Sequence, residues 1–153
     1  MARVVRDVNV IISALIAPRG TPRALIMAWE ASRYDVVASE GIIHEVLEKL
    51  SGPRIGGAYH VTAEDIRWVT ALLLREADLV LVPPEAVASV TGDPEDDYVL
   101  ATARIGAANA LVTGDRGLLA LREHEGIRIL NPRAFLDELN DEMGEAKPTT
   151  IEG

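Results

Sequence analysis

Arg3-Val-Val-Arg-Asp7-Val-Asn-Val-Ile-Ile12 changes its period at Asp7, and that change decides the fold class. Arg3 to Arg6 is a short β-branched run that reads as a strand. Beyond it Val10, Ile11, Ala14 and Leu15 recur at helical spacing until Pro18 and Gly20 stop them. A strand passing into a helix across a single acid is how an α/β unit begins, and the alternation continues along the chain.

Thr21 and Pro22 supply an N-cap and first-turn pair for a helix running towards Ser32. Asp35 to Ala38 is a second strand, and Ser39 caps a helix with Ile42, Ile43, Val46, Leu47 and Leu50 on one face. Ser51 to His60, with Gly52, Pro53, Gly56 and Gly57, reads as a mobile loop before a helix that is capped near Thr62 and carries Ile66, Val69, Leu72 and Leu73. Leu79 to Val82 is a third strand, Pro94 to Ile105 a helix and Ala110 to Val112 a fourth strand. Gly117 to Arg122 is a short helix, Ile127 to Leu130 a fifth strand, and Pro132 to Leu139 a last helix. This pattern predicts a single α/β domain over residues 1–139 with a parallel sheet, and a disordered tail over 140–153, where apolar residues are few.

Composition narrows the function. The 153 residues carry a formal net charge of −9, so a long electrostatic grip on a phosphate backbone is excluded, and nucleic acid must be held by a local patch or through metal ions. With no cysteine, disulfides, thiolate metal sites and Cys nucleophiles are excluded too. No apolar run is long enough to span a membrane, and Arg3, Arg6 and Asp7 interrupt any signal-peptide core, so a cytoplasmic location is expected.

The acids gather where a parallel sheet holds its ligands, at the carboxyl ends of the strands. Asp7 ends the first strand, Asp115 follows the fourth, Glu45 is on the second turn of the helix after the second, and Asp96 is in the first turn of the helix before the fourth. Taken singly, Asp7 and Asp115 suit helix caps, Asp93-Pro-Glu-Asp96 suits a capped helix start, and Glu45 suits a solvated helix face. Capping alone gives no reason for four acids to meet at one sheet edge. Such a set needs a compensating cation, and its oxygen donors suit Mg²⁺ or Mn²⁺ rather than zinc, because His44, His60 and His124 show no ligand spacing.

Several stretches together resemble PIN-domain ribonucleases: Arg3 to Val10, Ser39 with Glu45, Asp93-Pro-Glu-Asp96-Asp97 to Ala103, Leu111-Val-Thr113-Gly-Asp115, and Ile129-Leu-Asn-Pro132-Arg-Ala-Phe135. Within that family the chain is most similar to the VapC-like toxin components of bacterial and archaeal toxin–antitoxin pairs. The resemblance covers roughly residues 2–139 in order. It implies a three-layer α/β/α domain with a short, mostly parallel sheet of about five strands, and RNA cleavage dependent on Mg²⁺ or Mn²⁺. By position, Asp7, Glu45, Asp96 and Asp115 match the family's metal-binding catalytic acids. Asn9 and Thr113 match its supporting polar residues, with Asp93 and Asp97 as further outer groups. The resemblance also implies a small antitoxin partner covering the acidic crevice and a homodimer formed through the helices carrying Trp29 or Trp68.

Three residues depart from the family pattern: Arg6 where an aliphatic residue is usual, Val8 where a hydroxyl is usual, and Gly117 where many relatives carry an acid. Turned into the site, Arg6 would substitute for a cation and weaken metal binding; strand alternation favours the other direction, away from Asp7, as a surface residue. Arg19, Arg23, Arg54 and Arg116 fall in loops or first turns where they can border the crevice and fork to RNA phosphate. Trp29 and Trp68 lie on amphipathic helices and read as core or interface. Two other readings stand beside the nuclease: a PIN-like module that binds RNA or protein without cutting, motivated by Arg6 and Val8, and an aspartyl-phosphate phosphotransfer domain. The second needs a lysine near the phosphoryl group, and the chain has only Lys49, on a helix, and Lys147.

Overall fold

The computed structural model describes residues 2–17 and 19–146. Its sheet has six strands: β1 Arg3–Arg6, β2 Asp35–Ser39, β3 Asp78–Val80, β4 Ala110–Val112, β5 Glu123–His124 and β6 Ile127–Leu130, in the order β3-β2-β1-β4-β6-β5. All neighbours run parallel except β5 with β6. The expected count of about five strands missed β5, whose two residues, Glu and His, carry no apolar alternation to read. The chain steps leftward from β1 to β2 to β3, then returns across the sheet to β4, which makes the gap between β1 and β4 the topological switch point.

Among the described residues seven α-helices complete the layers: α1 Val8–Ile16, α2 Thr21–Glu30, α3 Glu40–Ser51, α4 Ala63–Glu76, α5 Pro94–Ile105, α6 Arg116–Leu119 and α7 Pro132–Ala146. Strand register puts Val5, Val37 and Leu111 on one face, and Val37 lies under Gly106 at the end of α5, so α5 covers that face. Right-handed crossovers then place α1 to α4 on the opposite face, where α7 packs on α2. The buried residues form one core spanning both faces of β1, β2 and β4. No described helix is long and apolar enough to cross a membrane.

Several boundaries differ from the sequence expectation. Gly20, at φ 142°, takes the N-cap place expected of Thr21, and Thr21 and Pro22 form the first turn of α2. Ser39 stands at the N-cap of α3, but its hydroxyl bonds Thr102 at 3.0 Å instead of capping. The segment expected to be a mobile loop contains a π-helical turn, Pro53–Gly57, held by Gly56 N–H donating to the Gly52 carbonyl (2.9 Å) and Tyr59 N–H to that of Ile55 (3.0 Å). The helix expected to stop at Leu139 continues to Ala146, so part of the expected tail is helical, and the rest of that expectation, 147–153, lies outside the described residues. Thr62 caps α4, as expected, and does so through a reciprocal box with Asp65.

Candidate active site

Four of the five parallel strands lead into the switch-point crevice or its walls. Asp7, Glu45, Asp96 and Asp115 line one cavity of about 300 Å³, together with Asn9, Lys49 and Tyr98. The elements deliver these side chains in simple ways: β1 ends at Asp7, α3 carries Glu45 one turn above its N-terminus, α5 begins just before Asp96, and the turn after β4 holds Asp115.

Each acid is set differently. Asp7 is buried and occupies the N-cap position of α1 without a side-chain capping bond; its Oδ2 instead accepts the Thr113 hydroxyl at 2.7 Å. Thr113 Oγ1 in turn accepts the Asp115 amide at 3.0 Å, so one buried hydroxyl ties the two acids across the switch point. Asp115 caps α6, its Oδ2 accepting the Leu118 amide at 2.9 Å. Glu45 is half-buried and lies 3.7 Å from Lys49 one turn further along α3.

Asp7, Asp96 and Asp115 lie near enough to bear on one another electrostatically. Burial pushes the Asp7 carboxyl up, against the Thr113 hydroxyl that lowers it, and the Asp115 charge adds to the rise. Asp96 is pushed up to about 6, first by burial and then by the charges of Asp115, Asp93 and Asp7. Even so, among the described residues no three His, Asp or Glu side chains are drawn into a ready-made metal cage. The acids line the cavity and repel one another within it.

The remaining candidates divide. Asn9 is exposed at the cavity mouth. Asp93 caps α5 through the amides of Glu95 and Asp96 and reaches the cavity only by its charge. Asp97, expected as an outer group of the site, does not line it: its Oδ1 accepts the amides of Val90 (3.2 Å) and Thr91 (2.8 Å) and the Thr91 hydroxyl (2.9 Å), pinning the segment before α5. Those bonds outweigh burial and hold its carboxyl below the ordinary range.

Arg54 and Arg116 line clefts that adjoin the cavity, whereas Arg19 is exposed between α1 and α2. Arg23 is engaged elsewhere, 5.0 Å from the Trp68 ring and donating to the Ala14 carbonyl at 3.3 Å. Arg6 does face away from Asp7, but it is no surface residue. It is 2% exposed, and its guanidinium lies 4.3 Å from the Trp29 ring centroid. It therefore does not stand in for a cation among the acids, which removes one motive for a non-catalytic reading. Trp29 is itself buried and unavailable to an interface as the fold stands.

Gly117 also gains a reason. A Cβ there would come within 3.1 Å of Asp115 Oδ2, so glycine leaves that carboxylate room. Sequence reasoning missed Lys49, Tyr98 and the acid Glu95 as cavity residues. Lys49 is four residues from Glu45 and so shares its helix face, a signal that was available. Tyr98 gave none, since an aromatic at that position reads as core.

Comparison with known proteins agrees with this architecture. Residues 3–117 match the PIN domain. The chain belongs to the PIN-domain family. The match begins with β1, ends at Gly117 and contains all five acids that line the cavity, Glu95 included. PIN domains are typically nucleases, and this one has their mostly parallel sheet flanked by helices. The chain is also 27% identical over 144 residues to an uncharacterized protein of Methanocaldococcus jannaschii, covering 89% of this chain and 90% of that one.

Proposed function

We propose that this PIN domain is a metal-dependent endoribonuclease, and that it acts as the toxin of a toxin–antitoxin pair. The observation that carries the nuclease reading is the convergence of Asp7, Glu45, Asp96 and Asp115 on one cavity, where Asp96 is raised to about 6 first by burial and then by the charges of Asp115, Asp93 and Asp7. Four oxygen-bearing side chains around one cavity fit a hard divalent cation, Mg²⁺ or Mn²⁺, with these four residues as its holders. Such an ion, when bound, brings water into the neutral titration range and offsets charge on a phosphodiester.

The protein's own groups then have distinct tasks. Thr113 fixes Asp7 and Asp115 relative to each other, and the Leu118 amide fixes the far oxygen of Asp115. Asn9 at the mouth is placed to orient a phosphate or water. Lys49 pairs with Glu45, while Arg54 and Arg116 on the adjoining walls receive neighbouring phosphates. For the toxin role, the resemblance within the family supports a small antitoxin that covers the acidic cavity with an Arg or Lys, and a homodimer.

Calorimetry with Mn²⁺ and cleavage of a mixed RNA substrate test the reading on wild type and Asp96→Asn. Mn²⁺ binding and RNA cleavage that both fall sharply in the variant support it. Absence of both from the wild type would overturn it in favour of a PIN domain that binds without cutting.

A further inference from the structure

A second cleft of about 650 Å³ shares Asn9, Glu45 and Lys49 with the acidic cavity and continues from it along the end of α3 to the π-helical turn. Its outer wall is Arg54, Ile55 and Tyr59. Tyr59 is 56% exposed, and it is the only exposed aromatic residue in the described chain: Trp29, Tyr34 and Phe135 are buried, while Trp68 and Tyr98 are half-buried. An exposed ring needs a reason that core packing does not supply.

The backbone around this ring is specific. Gly56 sits so close to the end of α3 that a Cβ would meet the Leu50 carbonyl oxygen at 2.3 Å, so the turn presses onto the helix only because that residue is glycine. Tyr59 N–H donates to the Ile55 carbonyl at 3.0 Å, Val61 N–H to that of Gly56 at 3.1 Å, and Ile55 and Val61 pack against the core on either side. The ring is thus exposed on a held turn, one cleft's length from the acids.

We infer that this cleft is a nucleotide subsite flanking the scissile bond, with an unpaired base stacked on Tyr59 and its phosphate held by Arg54 and Lys49. The inference rests on the nuclease reading for its place beside the cut, and it adds a residue that discriminates among substrates. Every base has a π-face, so a single exposed ring selects single-stranded over duplex RNA without reading sequence. Two cations lining the same cleft, Arg54 and Lys49, provide local phosphate contact in a chain of net charge −9. Of the acids on the cleft, Glu45 is matched by Lys49 at 3.7 Å, and Glu48 lies 3.2 Å from His44 on the outer side.

The test reads binding in EDTA, where metal-dependent cleavage is off, using a short unstructured RNA oligonucleotide with 2-aminopurine at its centre. Stacking on Tyr59 quenches the probe. Tyr59→Ala is expected to weaken binding at least about fivefold and relieve the quench, the low end for losing one stacked base. Tyr59→Phe keeps both, and binding of the same sequence as a duplex changes in neither variant. Unchanged affinity and quench in Tyr59→Ala, or no binding by the wild type, overturns the subsite.

With Mn²⁺ added, the two readings separate. Cleavage that depends on Asp96 but is indifferent to Tyr59→Ala in KM leaves the nuclease and removes the subsite. Tyr59-dependent binding without any cleavage keeps the subsite as an RNA-binding cleft and removes the nuclease.

Discussion

Asp96 shows how a single residue reports on the whole cavity. Its pKa of about 6 in the folded protein exceeds the ordinary 3.8, so the folded state takes up a proton more readily than the unfolded chain between those values. The stability linked to this group is therefore present below the unfolded value and is lost as pH rises through about 6. Asp96→Asn abolishes the dependence: the metal-free variant is expected to melt above the wild type at pH 8, with the gap closing by pH 5, in paired thermal unfolding scans. A residue that merely complemented the start of α5 would do the opposite, losing about 0.3–1 kcal/mol on neutralisation. Arg6 poses the inverse problem on the other face of the sheet. Its three guanidinium nitrogens are buried without a hydrogen-bond partner among the described residues, and burial lowers its pKa, against the Tyr34 hydroxyl nearby. Contact with Trp29 offsets part of that desolvation. Arg6→Met retains length and packing and removes the buried charge, so it is expected to raise stability by about 1–3 kcal/mol in denaturant titration and leave Mn²⁺ affinity unchanged. A loss of stability would mean that the guanidinium has a partner the packing does not reveal.

At the scale of elements, what was legible in the sequence was what local chemistry dictates. Pro94 and Ile105 bound α5 as read, because Asp93 and Pro94 start a helix whatever surrounds them, and Ala110 to Val112 is a strand as read, because three apolar residues after a helix end have little else to be. The cavity acids could be placed at one sheet edge because a parallel sheet fixes where each strand ends. What could not be read depended on distant partners. Ser39 looks like a cap and bonds Thr102 on α5, and Arg6 looks like a surface residue and is buried under Trp29. No local pattern encodes such contacts. The Ser39–Thr102 bond and one further bond tie the start of α3 to α5, and so set Glu45 relative to Asp96. The Tyr98 hydroxyl accepts the Gly41 amide at 3.0 Å, close enough that any side chain at 41 would collide with the ring. Tyr98→Phe leaves that amide without its acceptor, which is expected to lower stability by about 1 kcal/mol and to weaken Mn²⁺ binding although no carboxylate is altered. If calorimetry finds stability reduced but metal affinity intact, the helix pair is not what aligns the acids.

For the molecule as a whole, the decisive quantity is charge. A protein of net charge −9 repels RNA at a distance, so its grip must come from a few close contacts and not from a broad basic surface. Lys49, Arg54 and Arg116 are the basic residues lining the acidic cavity and its two adjoining clefts. Each phosphate neutralised on a single strand contributes about −0.7 to the slope of log affinity against log salt. Two or three such contacts give a slope no steeper than about −2, shallow for a nucleic-acid-binding protein. Arg54→Ala and Arg116→Ala should each flatten it by about one contact, in fluorescence titrations of single-stranded RNA across a range of salt. Association should not slow as salt is added, because screening weakens the long-range repulsion while the local contacts act only after encounter. A steep slope, with association that slows in salt, would mean that RNA is drawn in by a wider field than these three residues supply, and the cleft beside the acids would then be only part of its path.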